Sequence, residues 1–226
     1  YGTAISPAET TKAGYIFLGW YDGNVKFNFA NPITEDIILT AKWELRTDMT
    51  YTTEYYTQKL DKSGYELTNT TNGTGSVNAE VEADTTAPNG FVFNPDTEGS
   101  VLKGTIQADG SLVLKVFFDR KSYTVTFDVA GGSEVEAITA VYGEIIDSPE
   151  TTKTGHAFAG WYTVADEKFN FSSPVVGDMT LTAKWNVLTG LPFRIEYYYT
   201  DINTGEEKLV ETVRGTGSYG QVITAD

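Results

Sequence analysis

The sequence predicts a mostly β protein made of small modules in tandem, and three features carry that expectation. Apolar side chains alternate with polar ones at the two-residue period of a half-buried strand: Tyr123, Val125, Phe127 and Val129 interleave with Thr124, Thr126 and Asp128. No stretch shows the i, i+3, i+4, i+7 apolar stripe of an amphipathic helix, while β-branched residues and tyrosine abound. The chain also repeats itself. TTKAGYIFLGW starts at Thr10, and TTKTGHAFAGW starts at Thr151. Repetition at a fixed period is the signature of a tandem architecture.

The repeat extends well beyond those strings. Lys26-Phe27-Asn28-Phe29 returns as Lys168-Phe169-Asn170-Phe171, after one inserted residue moves the offset from 141 to 142. Leu39–Trp43 returns as Leu181–Trp185, Glu54-Tyr55-Tyr56 as Glu196-Tyr197-Tyr198, and Gly73–Ser76 as Gly215–Ser218. Tyr1-Gly2 against Tyr142-Gly143, and Ala83-Asp84 against Ala225-Asp226, carry the match to both ends.

A period does not set the module boundaries; local pattern does. Leu112, Leu114, Val116 and Phe118 alternate with Val113, Lys115 and Phe117, which predicts a strand. Asp109-Gly110 before it is a hairpin signal, with Gly104–Gln107 as the expected partner strand. The polar break Asp119–Ser122 precedes the strand at Tyr123, and Ala130-Gly131-Gly132-Ser133 ends that strand. Leu181, Ala183 and Trp185 alternate with Thr182 and Lys184 in the last strand of the unit.

The modules therefore fall at 45–121 and 122–185. The segment 1–44 is a copy of the second kind without its first strand, and 186–226 is the first half of another of the first kind. Glu134–Tyr142 and Glu80–Pro88 are the helix candidates, at most one short helix per module. Short polar connections between Trp43 and Tyr51, and between Phe118 and Tyr123, imply an elongated array with limited freedom between modules.

Composition narrows the function. Sixteen basic residues against 31 acidic ones give a net charge of −15, which repels nucleic acid and anionic membrane surfaces. No apolar run is long enough to cross a bilayer. There is no cysteine, which removes disulfides, thiol nucleophiles and thiolate metal sites. His156 is the single histidine, so neither a histidine-rich metal centre nor a Ser-His triad is expected, and no GxSxG elbow accompanies it. The acidic residues are scattered as on a solubilising surface, and Gly73–Ser76 lacks the lysine of a phosphate loop. The loop Asn94–Gly99 offers oxygen ligands without the spacing of an ordered calcium loop. The expectation is a protein that is no enzyme and needs no cofactor or metal.

Four tryptophans occupy two equivalent places in the two copies: Trp20 and Trp43, Trp161 and Trp185. A module of about 65 residues has little core volume and, without disulfides, depends on large rings that bury ~150–250 Å² each. Trp20, Trp43, Phe158, Trp161, Phe169, Phe171 and Trp185 are accordingly the expected core. Gly160 beside Trp161 is expected to let a ring lie over the backbone. The alternative use of aromatic residues is a platform for sugars, for which Tyr55, Tyr56, Tyr197, Tyr198 and Tyr199 are the candidates. An open groove beside Tyr55 and Tyr56 with polar edges would favour binding; burial would favour scaffolding.

Tyr123–Phe127, Gly131-Gly132, Tyr142-Gly143, Gly155, Phe158, Gly160-Trp161-Tyr162, Phe169–Phe171, Pro174 and Leu181–Trp185 resemble the internalin-type B-repeat, also called the Listeria–Bacteroides repeat. The resemblance covers 123–185 fully and 1–43 without the first strand. The segment 45–121 is similar to mucin-binding-protein-like modules, on Glu54-Tyr55-Tyr56, Gly73–Ser76, Gly90-Phe91, and Asp109–Ser111 before Val116–Arg120; 186–226 repeats its first half. His156 stands where such repeats place tyrosine, as Tyr15 does here. These resemblances imply β-grasp-like folds in a repeat region of a bacterial cell-surface adhesin, wall-attached through other parts. The region would serve as a semi-rigid spacer, with host glycans or glycoproteins as partners. The missing first strand of 1–44 suggests strand-mediated contact between chains.

Overall fold

The computed structural model describes residues 5–224, and among them there is no helix. The terminal pairs of the repeat, Tyr1-Gly2 and Ala225-Asp226, lie outside the described residues. The chain divides into two units, Tyr1–Lys121 and Ser122–Asp226.

In the first unit, β1 (Tyr15–Asp22), β2 (Val25–Lys26) and β3 (Thr40–Leu45) form an antiparallel sheet in the order β2-β1-β3. Arg46-Thr47-Asp48 leads into β4 (Met49–Gln58), which pairs antiparallel with β5 (Tyr65–Gly75). Next come β6 (Glu80–Glu82), β7 (Phe91–Phe93), β8 (Lys103–Thr105) and β9 (Val113–Arg120). The main sheet runs β5-β4-β9-β7, with β4 and β9 parallel, and β6 pairs with β8 apart from it.

The alternation seen in sequence places Leu114, Val116 and Phe118 of β9 in the core, beside Ala83. Met49, Val77 and Ile106 form an adjoining cluster. Phe117, on the opposite face of β9, is buried as well, because Tyr56 stacks on it at 4.8 Å and Tyr65 meets it edge-on at 5.1 Å.

The second unit opens with β10 (Ser122–Asp128), β11 (Ile138–Val141), β12 (His156–Tyr162) and β13 (Met179–Val187), in the order β11-β10-β13-β12. β10 runs parallel to β13, and the other pairs are antiparallel. β14 (Leu191–Thr200) and β15 (Glu207–Gly217) make a hairpin equivalent to β4–β5. Val125, Val175 and Leu181 are fully buried around Trp161. Burial of each such aliphatic side chain is worth about 1.5–3 kcal/mol.

β1 and β3 correspond to β12 and β13. Among the described residues β3 pairs with β1 alone, so the edge that β13 offers to β10 is open on β3. β14 likewise pairs with β15 alone, where β4 also carries β9.

Three sequence expectations are corrected. Glu134–Tyr142 is not helical: its second half is β11, because the edge of β10 accepts it and buries Ala140 and Val141. Glu80–Pro88 is not helical either. β6 pairs with β8, and the extended chain beyond buries Ala83, whose amide donates to Leu102 O at 2.8 Å. The Asp109-Gly110 turn forms, with Ser111 N donating to the Asp109 carboxylate at 3.0 Å and Gly110 at φ +73°. It does not join a hairpin: β8 goes to β6 and β9 to β4 and β7, a long-range pairing that local turn chemistry cannot specify.

Candidate functional site

The tryptophan–glycine signature is built the same way in both copies. In the second unit Trp161 is 1% exposed. Its ring meets Phe127 at 4.9 Å and Phe158 at 5.4 Å, both edge-on, and Phe158 also contacts Trp185 at 5.3 Å. The indole N–H groups find carbonyls, as buried donors must: Trp161 Nε1 donates to Pro149 O and Trp185 Nε1 to Val129 O, each at 3.0 Å. Phe169 and Phe171 meet edge-on at 4.9 Å, and Trp185 is half-buried.

In the first unit Trp20, Trp43 and Phe17 repeat this arrangement, with Phe27 and Phe29 paired as Phe169 and Phe171 are. Trp20 Nε1 donates to Ala8 O at 3.0 Å. Trp20 and Trp43 are half-buried, and among the described residues their sheet has no strand equivalent to β10 or β11.

The glycine beside each tryptophan has a role the sequence reading missed. Gly19 and Gly160 sit at bulges, at φ +130° and +132°. A lysine, not a ring, lies over them: a Cβ at Gly160 would fall 2.5 Å from Lys168 Cε, and one at Gly19 2.7 Å from Lys26 Cε. Lys168 Nζ then donates to Ala159 O at 2.9 Å. Both strings recur in the two copies, but at spacings that differ by one residue, so the sequence did not fix which lysine covers which glycine.

The tyrosine candidates separate. Tyr55 and Phe118 stack at 6.4 Å, and both border an open groove of about 750 Å³. Glu66, Thr68, Thr71 and Asp84 give the groove polar edges, and Phe91 and Pro88 an apolar wall. Hydrogen bonds from Thr86 hold the Asp84 carboxyl below its ordinary value. Arg120 lies over the Phe91 ring at 5.1 Å and donates through Nε to Gln58 O.

Tyr56 does not share the groove. It stacks on Phe117, and its hydroxyl donates to Glu54 at 2.6 Å, a bond that raises the phenol above its ordinary value. Tyr197, Tyr198 and Tyr199 are exposed on β14. Tyr198 repeats the Tyr56 bond with Glu196 at 3.0 Å. The groove's polar residues do not recur: Thr57, Glu66, Thr68 and Thr71 are replaced by Tyr199, Lys208, Val210 and Val213.

A polar cluster in the first unit escaped sequence analysis altogether. Tyr65 donates to Asp119 at 2.5 Å, Asn94 Nδ2 donates to the same carboxylate at 2.8 Å, and Thr97 donates to the Tyr65 oxygen at 3.2 Å. Burial first, and the Asp119 bond second, raise the Tyr65 phenol. Asn94, a candidate calcium ligand by sequence, thus spends its amide on Asp119 and its oxygen on the amide of Asp96. His156 Nδ1 donates to Thr154 O, 2.9 Å away, and the ring meets Tyr219 edge-on at 6.0 Å. Among the described residues no three His, Cys, Asp or Glu side chains cluster as a metal site.

Residues 1–42 and 123–184 match the Listeria-Bacteroides repeat domain. The second matched segment takes in β10, β11, β12 and most of β13; among the described residues the first takes in β1, β2 and the start of β3. The chain is 30% identical over 210 residues to a protein of Evansella cellulosilytica provisionally named a Gly-rich membrane protein, covering 83% of this chain and 22% of that one. It is 29% identical over 227 positions to a second Evansella cellulosilytica protein, provisionally named a membrane protein, covering 91% and 31%. The chain therefore spans less than a third of the length of these curated relatives. Among its own described residues no helix is long and apolar enough to cross a membrane.

Proposed function

We propose that this chain is part of the repeat region of a bacterial cell-surface protein and serves, without catalysis, as a semi-rigid spacer in adhesion. The observation that carries the reading is the burial of Trp161 with its N–H satisfied by Pro149: this tryptophan of the repeat is spent on internal packing, although Phe158, expected in the core, stays exposed at the edge of the cluster. The length of the relatives and their membrane-protein names support a place outside the cell, attached through other segments. The β-grasp-like character of the repeats and the mucin-binding-protein-like character of 45–121 and 186–226 belong to the same reading. To test it, the chain is placed between a surface anchor and an epitope, and one 142-residue period is deleted. The epitope should come closer to the membrane by fluorescence distance; an unchanged distance would sink the spacer role.

A second reading, binding of a host glycan or glycoprotein, is favoured by one observation. The groove beside Tyr55 pairs a ring face with acidic and hydroxyl edges, the chemistry that holds a sugar's C–H face and its hydroxyls. A glycan array probed with the whole chain and with Tyr55→Ala tests it. Binding that the substitution leaves untouched, or no binding at all, rejects the groove.

Strand-mediated contact between chains also stays in the proposal, through the open edge of β3. Sedimentation should show dimers that excess peptide of sequence Ser122–Asp128 dissolves; a monomer at every concentration refutes it.

A further inference from the structure

The same hydrogen-bonded relay closes the end of both Listeria-Bacteroides repeats. In the first unit the amide of Arg46 donates to Gly14 O at 2.9 Å, and the amide of Val77 donates to Arg46 O at 3.1 Å. In the second unit the amide of Leu188 donates to Gly155 O at 2.9 Å, and the amide of Tyr219 donates to Leu188 O, also at 2.9 Å. Arg46 and Leu188 are the first residues after β3 and β13. Val77 and Tyr219 follow the ends of β5 and β15, past Gly75-Ser76 and Gly217-Ser218. The connecting residue is thus bonded on one side to the repeat and on the other to the module that follows.

Side chains complete the contact. Gly14 and Gly155 adopt φ +77° and +74°, and each turn is closed by its own bond, from Tyr15 N to Lys12 O and from His156 N to Lys153 O. A Cβ on Gly14 would fall 2.8 Å from Val77 Cγ2, and one on Gly155 2.0 Å from Tyr219 Cγ. The plug side chain therefore lies directly on a bare Cα. Val77 is 5% exposed and continues into the cluster of Met49 and Ile106, with Leu45 of β3 packed against it. Tyr219 meets the His156 ring.

We propose that the glycine turn of each Listeria-Bacteroides repeat is a docking seat, and that its partner is the Gly-Ser-Val or Gly-Ser-Tyr loop of the next module. The seat makes the junction a fixed joint, not a flexible tether. It accepts either an aliphatic or an aromatic plug, because the backbone relay and the missing Cβ do the recognising. Bending at the joint would break two backbone bonds per junction and uncover the plug, so the connecting residue cannot act as a free hinge. That such joints stiffen a stalk rests on the spacer reading; the joint itself does not.

The test is hydrogen exchange by NMR on the whole chain. In the wild type the amides of Arg46, Val77, Leu188 and Tyr219 should exchange on the order of 100-fold slower than free peptide. Gly14→Ala should speed Arg46 and Val77 roughly ten-fold or more and leave the β4–β9 ladder at Thr57 and Phe118 unchanged. Gly23→Ala is the control for backbone strain alone: Gly23 has φ +56° and nothing within 4 Å of its Cβ position, so the joint amides should not change. Gly155→Ala and Tyr219→Ala should loosen Leu188 in the same way, and Tyr219, 46% exposed, can be truncated without emptying a core.

Residual dipolar couplings on the unsubstituted chain give a second readout. One alignment tensor should describe 15–45 together with 49–120. Unprotected joint amides in the wild type, or separate tensors for the two sheets, would overturn the joint whatever the epitope-distance experiment shows.

Discussion

Replacing Trp161 by alanine should be the most damaging single substitution in the second unit. The ring is 1% exposed, so nearly all of its ~150–250 Å² leaves water on folding, worth ~4–6 kcal/mol at about 25 cal/mol per Å². That figure is an upper bound, because an unfolded chain already hides part of the ring. Loss of the bond to Pro149 O leaves a carbonyl without its donor, at ~1–3 kcal/mol. Measured large-to-small core changes place the net cost at about 3–5 kcal/mol.

Trp20→Ala supplies the internal comparison. Trp20 keeps its bond to Ala8 O and its contact with Phe17, but it is half-buried, and among the described residues its sheet has no strand to supply a counterpart of Phe127. About half the cost, ~1.5–2.5 kcal/mol, is expected there. Trp161→Phe, which keeps a ring and loses the donor, should cost ~1–2 kcal/mol and report on a folded protein if the alanine variant unfolds. Urea denaturation gives the magnitudes, and hydrogen-exchange mass spectrometry assigns each loss to residues 122–187 or 15–45. A cost at Trp161 no greater than at Trp20 would refute the claim that this ring is the centre of a completed core.

The remaining predictions use other close contacts. Gly160→Ala should cost ~1–3 kcal/mol, and adding Lys168→Ala should not restore the loss, because φ +132° stays strained after the lysine is gone; full recovery in urea melts would contradict this. Gly73→Ala should destabilise the first unit by ~1–3 kcal/mol, since its Cβ would fall 2.2 Å from Tyr51 Cζ; adding Tyr51→Ala should give a non-additive cycle. The Tyr65 phenol is raised above its ordinary 10.0, so the folded state holds that proton more tightly than the unfolded one. The linked stability is therefore complete below pH 10 and is lost as pH rises through the higher folded value. Absorbance titration at 295 nm, wild type minus Tyr65→Phe, should show this tyrosine ionising above its ordinary value, and ionisation at the ordinary value would rule the linkage out.

Much of the β architecture was written in local pattern. The two-residue alternation in Tyr123–Val129 and Leu112–Phe118 depends only on which side chains face a core, and the structure puts Val125, Leu114, Val116 and Phe118 there. The repeat likewise named the positions of the four tryptophans, because tiny cysteine-free cores favour large rings wherever they occur. The two helix candidates failed because β10 and β8 offered unpaired edges to segments with no strong preference of their own.

What only the tertiary structure decided were the relations between residues far apart in the chain. The parallel partnership of β4 with β9, the lysine laid over Gly160, the Tyr65–Asn94–Asp119 cluster and the groove that takes Tyr55 but not Tyr56 all belong here. Composition and periodicity record which face of a strand is apolar; they carry no address for the strand or side chain that will cover it. That address is set by chain closure and packing, so the seat at Gly14 and Gly155 becomes visible only when Val77 and Tyr219 are seen resting on it.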